Sequence, residues 1–178
     1  MLDKLNNKVL IICSLISTCI MFSIVMFYVN PLIDGKNGFE VIGLQLAFNK
    51  SVGIELVRHW GDSGINNFKS LIFTDYIYAV SYSLFFSSLL SFLIFKNNKS
   101  KHFSYTWVVY LAFLAGILDC IENTIELRFL ENTAIFSDDI FLIHSWLAVF
   151  KWATLPVILG YVLVLSVPKK NTMTIEKA

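Results

Sequence analysis

Apolar residues in this chain come in long unbroken runs, not in the alternation of a half-buried strand or the stripe of a surface helix. Val9 to Val29 carries no charge and stops at Asn30-Pro31. Tyr76 to Phe95 ends at Lys96, Tyr105 to about Leu127 follows, and Phe141 to Val167 ends at Pro168-Lys169-Lys170. A hydrocarbon core about 30 Å thick takes about 20 helical residues at 1.5 Å each. The pattern therefore predicts spans at 9–29, 76–95, 105–127 and 141–167, in a single domain over residues 1–178. The expected fold class is all-α, a polytopic membrane four-helix bundle. Lys4 and Lys8 precede the first run as they would in a signal peptide, and Ile16-Ser17-Thr18-Cys19 faintly resembles a lipoprotein cleavage box. The apolar run is too long for a signal h-region and no A-x-A-like site follows it, so a permanent helix is expected.

Residues 31–74 are too long for a plain connection between the first two spans. The segment opens with turn chemistry, Asp34-Gly35-Lys36-Asn37-Gly38. Ser51 is placed to cap a short helix running through Trp60, with Gly61 as its stop. Val52, Leu56 and His59/Trp60 share one side at helical spacing, which suits an interfacial helix lying on the bundle. Ser63 then reads as the cap of a helix continuing through Phe73 into the second span.

Composition agrees with lipid as the solvent. Hydrophobic residues make up 56% of the chain and charged ones 15%, where a soluble domain carries about 25% charged. Sixteen Phe against three Pro make the apolar excess bulky. A formal charge of +1 excludes the broad basic field expected of a nucleic-acid binder. Cys13, Cys19 and Cys120 form no CxxC and are read as small buried hydrophobes.

Charge placement sets the orientation. Lys4 and Lys8, then Lys96, Lys99 and Lys101, then Lys169, Lys170 and Lys177 fall on one side in dense clusters. Lys36, Lys50, Arg58 and Lys69 are spread along the long loop, and Arg128 sits near Glu131, Asp138 and Asp139. Dense clusters belong inside, so both termini are expected in the cytoplasm and the 31–74 loop outside.

Ionisable side chains at membrane depth cost about 2.5–3.5 kcal/mol each on insertion scales and mark candidate function. On the third helix Ala112, Ala115, Gly116, Asp119, Glu122, Asn123 and Glu126 fall within about 120°. Phe113, Leu114, Leu118, Ile121 and Ile125 occupy the opposite side and are expected to face lipid. The second helix adds Asp75, Tyr78 and Tyr82, and the fourth adds His144 and Lys151, seven apart. Counted from the cytoplasmic ends, Asp119 lies at about 21 Å, Glu122 at about 25 Å, Lys151 at about 24 Å and Asp75 at about 30 Å. The candidate ligand-binding set is Asp75, Tyr78, Tyr82, Asp119, Glu122, Asn123 and Lys151, converging in the outer half of the bundle.

A plainer reading is a Lys151–carboxylate pair that merely holds helices in register, since buried ion pairs are weak evidence of function. Against it, Asp75, Asp119 and Glu122 outnumber Lys151, and the surplus must be protonated, hydrated or bound to something. Glu126 is expected at the interface, and His144 at headgroup level or as a cap. Glu-x-x-His is absent and only one histidine is well placed, so no metal and no cofactor are expected. Trp107, Trp146 and Trp152 fit interfacial or packing roles. No G-x-S-x-G, catalytic Cys/His pair or P-loop is present, so no catalytic residue is assigned.

Phe73-Thr74-Asp75-Tyr76 with Tyr82, Leu118-Asp119-Cys120-Ile121-Glu122-Asn123, and Phe150-Lys151-Trp152 together resemble a group of uncharacterised small bacterial four-helix integral membrane proteins. Val41–Trp60 is similar to that group's region before the second span. The resemblance implies a bacterial inner-membrane location and one site built from Asp75, Asp119, Glu122, Asn123 and Lys151. It implies no activity. The expected function is a carboxylate-rich cavity for an amphipathic or cationic small molecule or lipid, serving sensing, transport or acid–base chemistry. The alternative is a structural or accessory membrane protein whose polar cluster organises the bundle or a partner interface. The bilayer is the expected partner. Four helices are few for a transporter, so transport would require a homo-oligomer or a partner membrane protein.

Overall fold

The computed structural model describes residues 2–29, 33, 39–100 and 102–167. The predicted stop at Asn30-Pro31, the turn Asp34-Gly35-Lys36-Asn37-Gly38, and Lys101, Lys169, Lys170 and Lys177 lie outside them. Every element among the described residues is helical: α1 Leu2–Leu5, α2 Lys8–Ser23 prolonged by a π-helical stretch Ile24–Val29, α3 Phe39–Gln45, α4 Lys50–Lys96, α5 Phe103–Glu131 and α6 Asp138–Ser166. Four helices, Lys8–Phe27, α4, α5 and α6, are long and apolar enough to cross a membrane, with mean hydropathy of 2.6, 1.8, 1.6 and 1.9 over an 18-residue stretch of each. Large apolar side chains such as Val9, Phe27, Phe73 and Leu163 stand exposed around the outside. A belt of that kind marks an interaction surface rather than a water-facing one.

Local chemistry explains the boundaries. Asn7 caps α2 by accepting from the Val9 and Leu10 amides. Asn49, not Ser51, caps α4: its side chain accepts from the Ser51 amide at 2.8 Å. An Asn is at least as good an acceptor there as a Ser, and the chain uses the earlier one. Ser137 caps α6, and Asp138 and Asp139 place negative charge at its positive end. At the far end Asn97 donates from Nδ2 to the Leu93 and Leu165 carbonyls, clamping the ends of α4 and α6 together.

α4 is longer than its predicted span because the region before Tyr76 is helical too. Gly61, at φ +62°, breaks the helix where a stop was expected, but the chain resumes helix at once instead of restarting from a cap at Ser63. Only glycine adopts that conformation cheaply. The inward stripe of the first section is Gly53, Val57 and Trp60, while Val52 is exposed. The phase thus differs by one position from the one expected, because Trp60 turns inward to donate to Glu40 of α3 at 2.6 Å. Cys13 and Cys19 are exposed and Cys120 half-buried, so the cysteines are not core residues.

Packing runs α2 on α4, α4 on α5 and α5 on α6, with α6 also touching α4; α2 and α6 form no extended interface. α4 and α5 approach closely because small residues meet: Ser83 and Ala79 face Gly116. A side chain at Gly116 would stand 2.8 Å from Ser83 Cβ and 3.0 Å from the Ala79 carbonyl. Two apolar clusters result, one with Leu44, Trp60, Phe68, Ile72, Phe129 and Phe141, the other with Ala79, Leu90, Ile94, Val108, Ala115 and Ile158. Between them lies a polar layer.

Candidate functional site

Helical phase brings the layer together. Positions 119, 122, 123 and 126 of α5 share its inward face, and all four side chains are buried. The Lys151 ammonium of α6 lies 2.8 Å from Asp119 Oδ1 and 2.7 Å from Glu122 Oε2. Tyr82 of α4 donates to the other oxygen of Asp119 at 3.0 Å. Three helices are thereby joined through one buried chain, Tyr82–Asp119–Lys151–Glu122. Asn123 donates from Nδ2 to Asp75 Oδ2 at 2.9 Å, a second link from α5 to α4. Tyr78 packs edge-on against Tyr82, ring centroids 5.2 Å apart. All seven sequence candidates therefore occupy one layer, with Tyr78 present as a wall and not as a polar partner of the acids.

Two residues belong to this layer that the sequence reading put elsewhere. Glu126 and His144, expected at the interface and at headgroup level, are each 2% exposed and stand 3.1 Å apart. Phe141 packs against His144, and Phe129 against Phe141, at this edge of the layer. The signal was spacing: Glu126 is one turn beyond Glu122, and His144 is two turns before Lys151.

A cavity of about 330 Å³ abuts the layer. Its polar end is formed by Asp75, Asp119, Asn123, Glu126 and Lys151. Its walls are apolar: Phe22 and Val25 from the α2 side, Leu71 and Phe86 from α4, and Leu155 and Leu159 from α6. Phe22, Met26, Trp152 and Leu159 line it yet are exposed, so its mouth lies along the seam where α2 and α6 fail to meet. The π-helical turn of the first span falls at this mouth, a distortion that recurs at functional sites. α3 closes one end, where Gln45 accepts from Trp152 Nε1 at 3.4 Å. Pro156 has no N–H to offer the Trp152 carbonyl, so α6 is loosened one turn past Lys151.

Four carboxyl groups share this layer with one ammonium and one imidazole. Glu122 Oε1 and His144 Nδ1 have no hydrogen-bond partner among the described residues. Comparison of the chain with protein-family models, curated proteins and solved structures finds no match.

Proposed function

We propose that this chain is a multi-pass integral membrane protein that binds an amphipathic molecule carrying a cationic headgroup. It would belong with the small bacterial inner-membrane proteins it resembles, both termini in the cytoplasm and the loop of residues 31–74 outside. The observation that carries the reading is the cavity's polarity: one end holds acids in excess of Lys151, and the rest is apolar and open at the α2–α6 seam. A volume of about 330 Å³ is at the small end of the range for ligand sites, so it takes a headgroup and the first part of a tail. Asp75 is the acid best placed for the cation, since it lines the cavity, is half-buried, and is held by Asn123 rather than by Lys151. Sensing, transport or acid–base chemistry would each begin with this binding step.

Titration of the protein in nanodiscs with a long-chain primary amine, and with the alcohol and carboxylic acid of equal length, tests this. The amine should bind as a saturable single-site ligand, and Asp75→Asn should weaken it on the order of tenfold, the equivalent of about 1.4 kcal/mol. Equal binding of amine and alcohol, or an amine affinity indifferent to Asp75→Asn, would refute the reading.

A second reading has its own support. The Tyr82–Asp119–Lys151–Glu122 chain ties α4, α5 and α6 together without any ligand. An accessory protein whose polar layer sets helix register would show the same links, and the cavity would then bind amine and alcohol alike.

A further inference from the structure

Glu122 and Glu126 stand one turn apart on α5, and His144 faces them from α6. One ligand atom from each residue lies within 4.8 Å of those of the other two. All three side chains are buried, exposed by 0%, 2% and 2%. Glu122 Oε1 has no hydrogen-bond donor among the described residues although water cannot reach it. A buried acceptor left in that state is costly.

We propose that Glu122, Glu126 and His144 form a binding site for one divalent transition-metal ion, with Zn²⁺ the best match. Two carboxylates and one imidazole are hard and borderline donors, suited to Zn²⁺, Mn²⁺ or Fe²⁺, and among these zinc binds most tightly to a given site. Zinc–ligand distances of about 2.0–2.2 Å place ligand atoms about 3.3 Å apart in a tetrahedron. The His144–Glu126 separation of 3.1 Å is already of that size. Glu122 closes the remaining gap by rotating its own side chain. Lys151 lies 2.7 Å from its other oxygen, Oε2, which leaves Oε1 for the ion. Glu126 is also part of the cavity wall, so the ion sits at the cavity's edge with a coordination position left for water or a ligand.

Charge favours this arrangement. Lys151 and a divalent ion together bring +3 against four carboxyl groups, which leaves a single negative charge for a monovalent headgroup. The metal site is thus compatible with amphiphile binding and does not rest on it.

The full chain, purified in detergent, stripped with a chelator and reloaded with ZnCl₂, is assayed for metal by plasma mass spectrometry. About one zinc per chain should survive gel filtration and raise the unfolding temperature above that of stripped protein. His144→Ala and Glu126→Gln should each lose the zinc, while His59→Ala, at an exposed histidine, should keep it. Zinc well below one per chain in the wild type, or unchanged in a folded His144→Ala variant, overturns the proposal. X-ray absorption of the zinc-loaded wild type decides the matter even if the variants do not fold. One imidazole among oxygen neighbours supports the site; a sulfur shell or an oxygen-only shell overturns it. Amine titration of stripped protein separates the two proposals, because stripped protein that binds amine but takes up no zinc refutes only the metal.

Discussion

Lys151 and Asp119 meet at 2.8 Å in the middle of the bundle, each almost fully withdrawn from solvent. The same ammonium also touches Glu122, so one lysine of α6 satisfies two acids of α5. Removing the lysine alone strands both.

Lys151→Met should therefore be the most damaging change in the layer, by about 3–5 kcal/mol, the usual cost of breaking one side of a buried pair. Lys151→Met with Asp119→Asn should recover part of that loss. The triple variant adding Glu122→Gln should recover more, because neither of the two acids that Lys151 contacts is then left charged without it. Unfolding in mixed detergent micelles measures the order, and a single variant as stable as the triple would contradict it.

The α4–α5 contact predicts a contrast between two glycines. Gly116→Ala forces a methyl group against Ser83 and the Ala79 carbonyl and should destabilise by about 1–3 kcal/mol. Gly160→Ala meets nothing within 4 Å and should be neutral or slightly stabilising. The same unfolding assay reads both. Comparable losses at the two sites would mean that α4 and α5 do not approach this closely.

Orientation is open to labelling. In a cysteine-free background, Ser100→Cys should react with an impermeant maleimide only after the cells are permeabilised, and Ile135→Cys, in an exposed turn, should react in intact cells. Labelling of Ser100→Cys from outside would reverse the topology.

Amides of residues 53–60 should exchange slowly, since they lie in the helical section before Gly61 and its inward face packs on the bundle. Exchange at loop rates throughout that section would show that it is not stably helical.

Much of this architecture was legible because helical phase and span length are properties of sequence alone. Asp119, Glu122 and Asn123 share a face for the same reason that Ala112 and Gly116 do, and each of the four apolar runs matches one of the four long helices, two of the runs overshooting its end by one or two residues. Partnership was not legible. Whether Glu126 is interfacial or buried depends on what meets it, and it meets His144, brought over from another helix. His144 follows the same logic, since a residue near a helix end looks exposed until its neighbours are known. The inward phase before Gly61 was missed because Trp60 finds its partner, Glu40, twenty positions back across an unpredicted helix. Sequence does not separate Asn49 from Ser51 as the cap of α4, because both are good caps two residues apart and only backbone geometry distinguishes them.

The seam between α2 and α6 determines which phase supplies the cavity. For the amphiphile we propose, the reservoir is the bilayer and not the aqueous medium. Each added methylene deepens partitioning into lipid by about 0.8 kcal/mol, roughly fourfold per carbon. Tail atoms that stay in lipid, before binding and after it, drop out of the difference between the two states. Apparent affinity referred to total ligand in water should then climb about fourfold per methylene. Referred to the ligand-to-lipid ratio, it should stay nearly flat beyond the length the cavity encloses. Occupancy in a cell would accordingly follow the composition of the membrane, and diluting the cytoplasm or the medium would scarcely change it.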